Sequence, residues 1–231
     1  MQIIGNGLIA KAFQDFNFTR NCVIFASGVS DSADENNLNF EREFNLLEST
    51  IKNFKNKRLV YFSTCSLNSG DNSKYKMHKK NLENYILKNC ASYNIFRLPQ
   101  VVGVVDNNTL ISYFIRNLKY GNEILVQTNA TRHLLDVEDI PRITNIIIEK
   151  GFSNRIIDIA PLYHIDIFSI VNFISKELNL EYKINLVNSG SKQNIFISNL
   201  ENFLDYDDKI FSKDYWKLVL KKYSKKINKV V

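Results

Sequence analysis

Residues 1–13 read MQIIGNGLIAKAF, and the parsing of this stretch decides the fold. Ile3 and Ile4 make a short apolar run that meets two glycines, Gly5 and Gly7, with one residue between them. Ala10 follows three positions after the second glycine. A short buried strand, a tight turn and a helix starting over Leu8 to Phe16 account for this order. The spacing is G-x-G-x-x-A. In such a turn the first glycine permits the sharp bend and the second lets backbone N–H groups approach a pyrophosphate. The small third residue lets helix and strand pack closely. The motif is short, so its weight rests on the rest of the chain.

Beyond residue 16 the chain alternates β-like and helical runs. CVIFAS (22–27) reads as a buried strand. FEREFNLLESTIKNF (40–54) places Phe40, Phe44, Leu47, Ile51 and Phe54 at helical spacing. RLVYFST (58–64) is a strand, 74–89 a helix and YNIFRL (93–98) a strand. Further on come a helix over 110–120 closed by Gly121, short strands in EILVQT (123–128) and RHLLDV (132–137), and a helix over 137–150. A strand at 155–160 and a helix over 166–179 complete the pattern. Alternation of this kind implies an α/β fold, a Rossmann-like parallel sheet with helices on both faces. The regular part spans residues 1–103. Residues 104–231 read as a mixed substrate-binding region interleaved with it in one compact unit.

The 231 residues, 45% hydrophobic and 23% charged, suit one sizeable core. No apolar run is long enough for a membrane span, and the N-terminus reads as mature protein and not as a signal peptide. Cys22, Cys65 and Cys90 are widely spaced, offer no metal-ligand pair and fit a reducing cytoplasm. The net charge of +6 and pI near 9.1 point to an acidic partner, a phosphorylated small molecule foremost. The lysine-rich end (217–231) reads as a solvated terminal helix. It lacks the aromatic interleaving of a nucleic-acid surface, so no nucleic-acid partner is expected. Asp136, Glu138 and Asp139 read as charges at a helix start, not as a metal site.

Tyr75 and Lys79 form Y-x-x-x-K on the 74–89 helix, where positions i and i+4 share a face. A cation near the phenol favours the phenolate and is expected to lower the tyrosine pKa. In a chain with 11 tyrosines and much lysine the pair alone carries no weight. Its place does, because it comes after a strand that ends in the hydroxyl residues of STCS (63–66).

Taken together, IIGNGLIA, VIFASGVSDS, LVYFSTCS, YKMHK, FRLPQVVG and TRHLLDVEDI occur in the order found in extended short-chain dehydrogenases/reductases. The chain thus resembles a shortened member of the NAD-dependent epimerase/dehydratase group, over about residues 1–180. The resemblance implies an NAD(P)-binding Rossmann domain, a smaller C-terminal sugar-nucleotide lobe and a Ser/Thr–Tyr–Lys triad. Tyr75 would be the acid/base, with Lys79 tuning it and holding the nicotinamide ribose. Thr64 would be the hydroxyl partner if matched to the "ST" of the ketoreductase-like members. Counting back from Gly70 gives Cys65 instead, and Ser63 and Ser66 stay open. The cofactor, NADP(H) or NAD(H), would lie along Gly5, Gly7, Leu8 and Ile9, along Ala26, Ser27 and Gly28, and past Ser63, Tyr75, Lys79, Pro99 and Val101. The nucleotide-sugar substrate would meet Ser66, Gln100 and Arg132. Arg132 matches an arginine that approaches substrate phosphates, against the alternative of an ion pair with Asp136 or Asp139. A homodimer through helices 74–89 and 40–54, and a place in polysaccharide biosynthesis, are further implications.

The chain departs from that pattern in three places. Ile4 replaces the first of the usual three glycines. The segment between the first helix and CVIFASG is too short for a second and third strand, and with them goes the acidic residue for the adenosine ribose. Asp15 lies too early and Asp31 too late to replace it. The interval from Thr64 to Tyr75 is also short. Loss of the acid removes one barrier against the 2′-phosphate of NADP(H). The expected activity is reduction of a keto-sugar nucleotide. The alternatives are an epimerase of the same family and a non-catalytic nucleotide-binding or scaffold protein.

Overall fold

β1 (Gln2–Ile4), α1 (Leu8–Gln14), β2 (Cys22–Phe25), α2 (Asn37–Asn53), β3 (Arg58–Thr64), a 3-10 turn (Cys65–Asn68), α3 (Lys74–Asn89) and β4 (Tyr93–Leu98) make the first run of elements. β5 (Gln100–Val102), α4 (Leu110–Tyr120), β6 (Glu123–Gln127), β7 (Thr131–Arg132) and β8 (Leu134–Asp136) come next. Then come α5 (Asp139–Glu149), β9 (Arg155–Asp158), β10 (Ile165–Asp166), α6 (Ile167–Leu178), β11 (Lys183–Val187) and α7 (Tyr215–Ile227). This computed structural model describes the chain apart from residues 15, 17, 19, 20, 30, 33, 69–72, 106, 191, 193, 194 and 196, and only the backbone of 197–199. Asp15 and Gly70 therefore lie outside the described residues.

The chain divides into two units, where the sequence suggests a single one with a boundary near 103. Residues 1–98, 137–159 and 198–204 form the first; 99–136, 160–197 and 205–231 form the second. The first carries a five-stranded parallel sheet in the order β1-β2-β3-β4-β9. In the usual doubly wound order the first strand lies inside the sheet, with the second and third strands beyond it. Here β1 is the outermost of the described strands. Among the described residues no strand lies beyond β1 on the adenosine side, in keeping with the short segment before Cys22. Burial agrees with this: Gln2 is exposed and Ile3 and Ile4 half-buried, whereas all of β2 is buried. An unbroken apolar run such as CVIF marks a strand covered on both faces.

Helices cover both faces. On one, Phe25, Leu59, Tyr61 and Ile95 meet Leu47 of α2 and Leu82 and Ile86 of α3 in a single buried cluster. On the other, Phe13 of α1 packs on Phe62 with ring centroids 5.5 Å apart, and Phe62 stacks on Phe96 at 6.2 Å. Asn36 caps α2 by accepting from the Leu38 N–H, and Ser73 caps α3 by accepting from the Lys76 N–H.

In the second unit β5 pairs in parallel with β8, β6 in parallel with β11, and β7 antiparallel with β10. The stretch 132–137 thus splits into two strands at His133. Gly121 ends α4 with φ 64°, the left-handed cap expected of it. The lysine-rich helix α7 is anchored by buried Tyr215, Val219, Leu220, Tyr223 and Ile227. Asp136 ties it down, accepting from Tyr223 Oη at 2.6 Å and Lys222 Nζ at 2.7 Å. Among the described residues no helix is long and apolar enough to cross a membrane.

Candidate active site

The chemistry-bearing residues of the first unit collect at the C-terminal end of the sheet. This is where ligands of open α/β sheets bind. Gly5 turns the chain out of β1 with φ +124°, and a Cβ there would stand 2.3 Å from the Ala26 carbonyl oxygen. Only glycine lets β1 and the end of β2 approach so closely, an approach held by the Ala26 N–H bond to the Ile4 carbonyl at 2.8 Å. Gly7 is exposed, and a Cβ there would meet nothing within 4 Å. Leu8 and Ile9 open α1, half-buried, as are Ala26 and Ser27 beyond β2. The turn thus leaves open space in front of its backbone, which fits a bound diphosphate.

Thr64 ends β3 and Tyr75 opens α3. The Thr64 hydroxyl acts on the Tyr75 phenol in the sense that favours its ionised form, and it lies 2.9 Å from Ser66 Oγ. Cys65 points elsewhere: its buried thiol donates to the Arg97 carbonyl at 3.3 Å. Of the four alternatives in STCS, Thr64 is the one that bears on the Tyr75 phenol. Ser63 Oγ is buried and finds no partner among the described residues. The 3-10 turn carrying Ser66 is braced from below. Asn68 accepts from Arg97 Nη1 at 3.2 Å and donates to Asp158 at 2.9 Å, while Arg97 forks onto Glu83 at 2.9 and 2.6 Å.

Lys79 is 3% exposed. Its ammonium donates to Glu43 Oε1 at 2.7 Å and lies 3.4 Å from Tyr61 Oη and 5.7 Å from the Tyr75 ring. A Cβ on Gly28 would stand 2.7 Å from that ammonium. Gly5 with Ala26, Gly28 with Lys79, and Thr64 with Tyr75 and Ser66 are therefore brought together within one unit. The expected effect of Lys79 on Tyr75 is corrected. Burial, and then the charge of Glu43, push the phenol above its ordinary value; Thr64 pulls the other way, and Asp31 adds to the rise. Burial likewise pushes the Lys79 ammonium down against the pull of Glu43. The carboxylate removes the excess positive charge that was to favour the phenolate.

Glu43 is the residue that sequence reasoning missed. It lies three positions after Phe40 and four before Leu47, so it falls on the apolar stripe of α2. A carboxylate on a buried stripe is the signal that could have found it.

Pro99, Gln100 and Val101 belong to the second unit and are half-buried; the Gln100 N–H donates to the His133 carbonyl at 3.2 Å. Half-buried Arg132 lies in β7. Its Nη1 donates to the Thr131 carbonyl at 2.8 Å, and it has no carboxylate partner among the described residues. The ion-pair alternative is thereby removed: Asp136 is held by Lys222 and Tyr223, and Asp139 bonds Arg142 at 3.1 Å. Burial alone lowers the Arg132 pKa. His133 is buried, bonded to the Pro161 carbonyl at 2.8 Å, and packs edge-on to His164. Among the described residues no cluster of His, Cys, Asp and Glu could hold a metal ion.

The fold matches solved nucleotide-sugar enzymes at low identity. A UDP-N-acetylglucosamine 4-epimerase from Methanobrevibacter ruminantium, in complex with UDP-N-acetylmuramic acid, superposes with TM-score 0.72 at 17% identity over 89% of this chain and 76% of that one. RMD from Pseudomonas aeruginosa, complexed with NADPH, gives 0.71 at 14% identity over 91% and 81%. A dTDP-4-dehydrorhamnose reductase ortholog from Clostridium acetobutylicum gives 0.68 at 16% over 90% and 81%. No curated protein matches the sequence. The family model for NAD dependent epimerases/dehydratases matches residues 5–160, about two thirds of the chain and the whole of the site in the first unit. The chain belongs to the NAD dependent epimerase/dehydratase family.

Proposed function

We propose that the protein is an NAD(P)-dependent oxidoreductase that reduces the keto group of a nucleotide-linked sugar. The observation that carries this reading is the juxtaposition of Thr64, which ends β3 and acts on the Tyr75 phenol, with Tyr75 itself, one helical turn ahead of a Lys79 whose ammonium lies 5.7 Å from the Tyr75 ring. Gly5 and Gly7 would hold the cofactor diphosphate, with Ala26, Ser27 and Gly28 beside it. Bound in its reduced form, the nicotinamide supplies a hydride. Tyr75 gives its phenolic proton to the oxygen of the carbonyl being reduced, and Thr64 donates a hydrogen bond to the same oxygen. Lys79, buried against Gly28, offers its remaining N–H to the cofactor ribose. Arg132, a half-buried cation with no carboxylate partner among the described residues, would take the substrate's phosphates. The name of one structural neighbour, a dehydrorhamnose reductase, supports the direction, and another was solved with NADPH.

Calorimetry with NAD⁺, NADH, NADP⁺ and NADPH tests the first half of the reading, and turnover by Tyr75→Phe the second. Binding of a reduced cofactor, with turnover abolished in the folded variant, is expected. A Tyr75→Phe protein that keeps the wild-type rate would sink the assignment. A second reading, a non-catalytic nucleotide-binding protein, is favoured by β1 being the outermost of the described strands. Binding of a sugar nucleotide but of no dinucleotide at millimolar concentration would select it.

A further inference from the structure

The sheet unit contains a buried charge that the reductase chemistry does not ask for. Glu43, on α2, is 0% exposed. A carboxylate withdrawn from water is tolerated only where its lone pairs are met by donors. Four donors meet this one. Lys79 Nζ stands 2.7 Å and Tyr61 Oη 2.9 Å from Oε1, and His78 Nε2 stands 3.0 Å and the Val29 N–H 2.8 Å from Oε2. Burial raises its pKa, but the bonds from His78 and Lys79 and the Val29 N–H overcome this and hold it down at about 2. The carboxylate is therefore ionised at any pH at which an enzyme works.

That charge lies where a Tyr–Lys pair is least served by it. The lysine cation favours the phenolate by its positive field. A carboxylate in contact with the ammonium cancels that field. We propose that Glu43 is a positioning residue that fixes Lys79 against Gly28 and neutralises it beside Tyr75, so that the site gives a proton to a carbonyl oxygen rather than taking one from an alcohol. This rests on the oxidoreductase reading of the same site.

Every element packed on Tyr75 bears on the balance. Lys79 comes from its own helix, Glu43 from α2, Thr64 and Tyr61 from β3, and Asp31 from the segment after β2. Two carboxylates oppose one ammonium, and Glu43 itself also receives His78. Of the causes acting on Tyr75, Thr64 favours its phenolate and the burial, Glu43 and Asp31 disfavour it. Reduction needs the phenol. A hydride adds to the carbonyl carbon, the π pair moves to oxygen, and that oxygen takes the proton from Tyr75 Oη. The phenolate left behind recovers a proton from water. Alcohol oxidation runs these steps backwards and must begin from the phenolate, which this surrounding withholds near neutral pH. Glu43 also bonds the Val29 N–H, so one side chain ties the lysine to the chain leaving β2.

The test reads the ionisation of Tyr75 in the full-length protein without added cofactor. Tyrosinate absorbance is followed from pH 7 upward for the wild type and for Tyr75→Phe, and the difference isolates Tyr75. The expected result is no Tyr75 ionisation below about pH 10, the ordinary tyrosine value. In Glu43→Gln the Tyr75 midpoint is expected to fall by about 1–3 pH units relative to the wild type, and Glu43→Asp, which keeps the charge, to return it towards the wild-type value. A wild-type midpoint at or below about 9 overturns the proposal, as does a folded Glu43→Gln protein with an unmoved midpoint. If Glu43→Gln does not fold, the wild-type difference alone decides. Failure of the oxidoreductase reading shows elsewhere, as absence of NAD(P)H-dependent turnover with the tyrosine titration unaffected.

Discussion

Gly28 leaves empty the space that the ammonium of Lys79 occupies. A Cβ at residue 28 would stand 2.7 Å from Lys79 Nζ and 3.0 Å from Glu43 Oε1. A lysine tip usually yields to such an intrusion. This one is held by a buried carboxylate at 2.7 Å and cannot withdraw without breaking that bond.

Gly28→Ala is therefore expected to fold, with a stability loss of about 1–3 kcal/mol from overpacking, and to lose far more in turnover than in substrate affinity. Urea unfolding and steady-state kinetics measure the two effects. Wild-type kcat in a Gly28→Ala protein would show that the ammonium has freedom to move and that its place is not fixed through Gly28.

The two glycines of the turn after β1 are expected to respond in opposite ways. At Gly5 the backbone is at φ +124° and the obstacle is the Ala26 carbonyl, which cannot move without separating β1 from β2. Gly5→Ala should cost about 3 kcal/mol or more. At Gly7 a Cβ meets nothing within 4 Å, so Gly7→Ala should leave stability within about 1 kcal/mol of wild type. The same Cβ would stand in the space proposed for the diphosphate, so cofactor affinity should fall at least about tenfold, a 1.4 kcal/mol change. Unfolding midpoints and calorimetry on the two variants separate the roles. Equal stability losses would refute the distinction.

Much of this was legible in the sequence because the regular elements there carry long, strongly periodic signals. β3, α3, β4 and α4 fall on the residues that their patterns indicate. That no described strand lies beyond β1 was legible too, since the segment before Cys22 is short. The second unit was less legible. β7 and β10 have two residues each, too few to show alternation, and their pairing of Arg132 with Ile165 is set by tertiary contact. Residues 137–159 return to the first unit because β9 pairs with β4, a long-range choice with no local mark. At the site, the tyrosine and lysine stood out by their place after the hydroxyl residues that end β3, not by their spacing. Their electrostatics were not legible, because the sign of the field at Tyr75 is set by Glu43, a residue of another helix that periodicity treats as an interruption.

Acid should reveal Glu43 as a contributor to stability. Its carboxyl has a pKa of about 2 in the folded protein against an ordinary 4.5. A group whose folded pKa is depressed stabilises the fold fully above its unfolded value and loses that contribution as pH falls towards the folded one. The wild type should therefore lose stability between about pH 5 and pH 2. Urea midpoints across this range, compared with Glu43→Gln, isolate the contribution of this residue. The variant should be less stable near neutral pH and show a shallower decline. Parallel acid profiles would mean that Glu43 is not the group being protonated.

Arg132 should be a binding residue that the fold does not need. Its guanidinium is half-buried, donates to the carbonyl of Thr131 next to it, and pairs with no carboxylate among the described residues. Burial lowers its pKa. Breaking an ion pair by removing one partner is costly, but among the described residues no partner is left behind. Arg132→Met keeps the apolar stem and removes the charge, so its unfolding free energy should stay within about 0.5 kcal/mol of wild type or rise above it. Charge-assisted bonds to a diphosphate are strong, so affinity for UDP and dTDP, used as probes, should fall at least about tenfold. Calorimetry with both nucleotides and a urea titration on one preparation give the two numbers. Unchanged nucleotide affinity would remove Arg132 from the binding site, and a large stability loss would mean that its charge serves the fold.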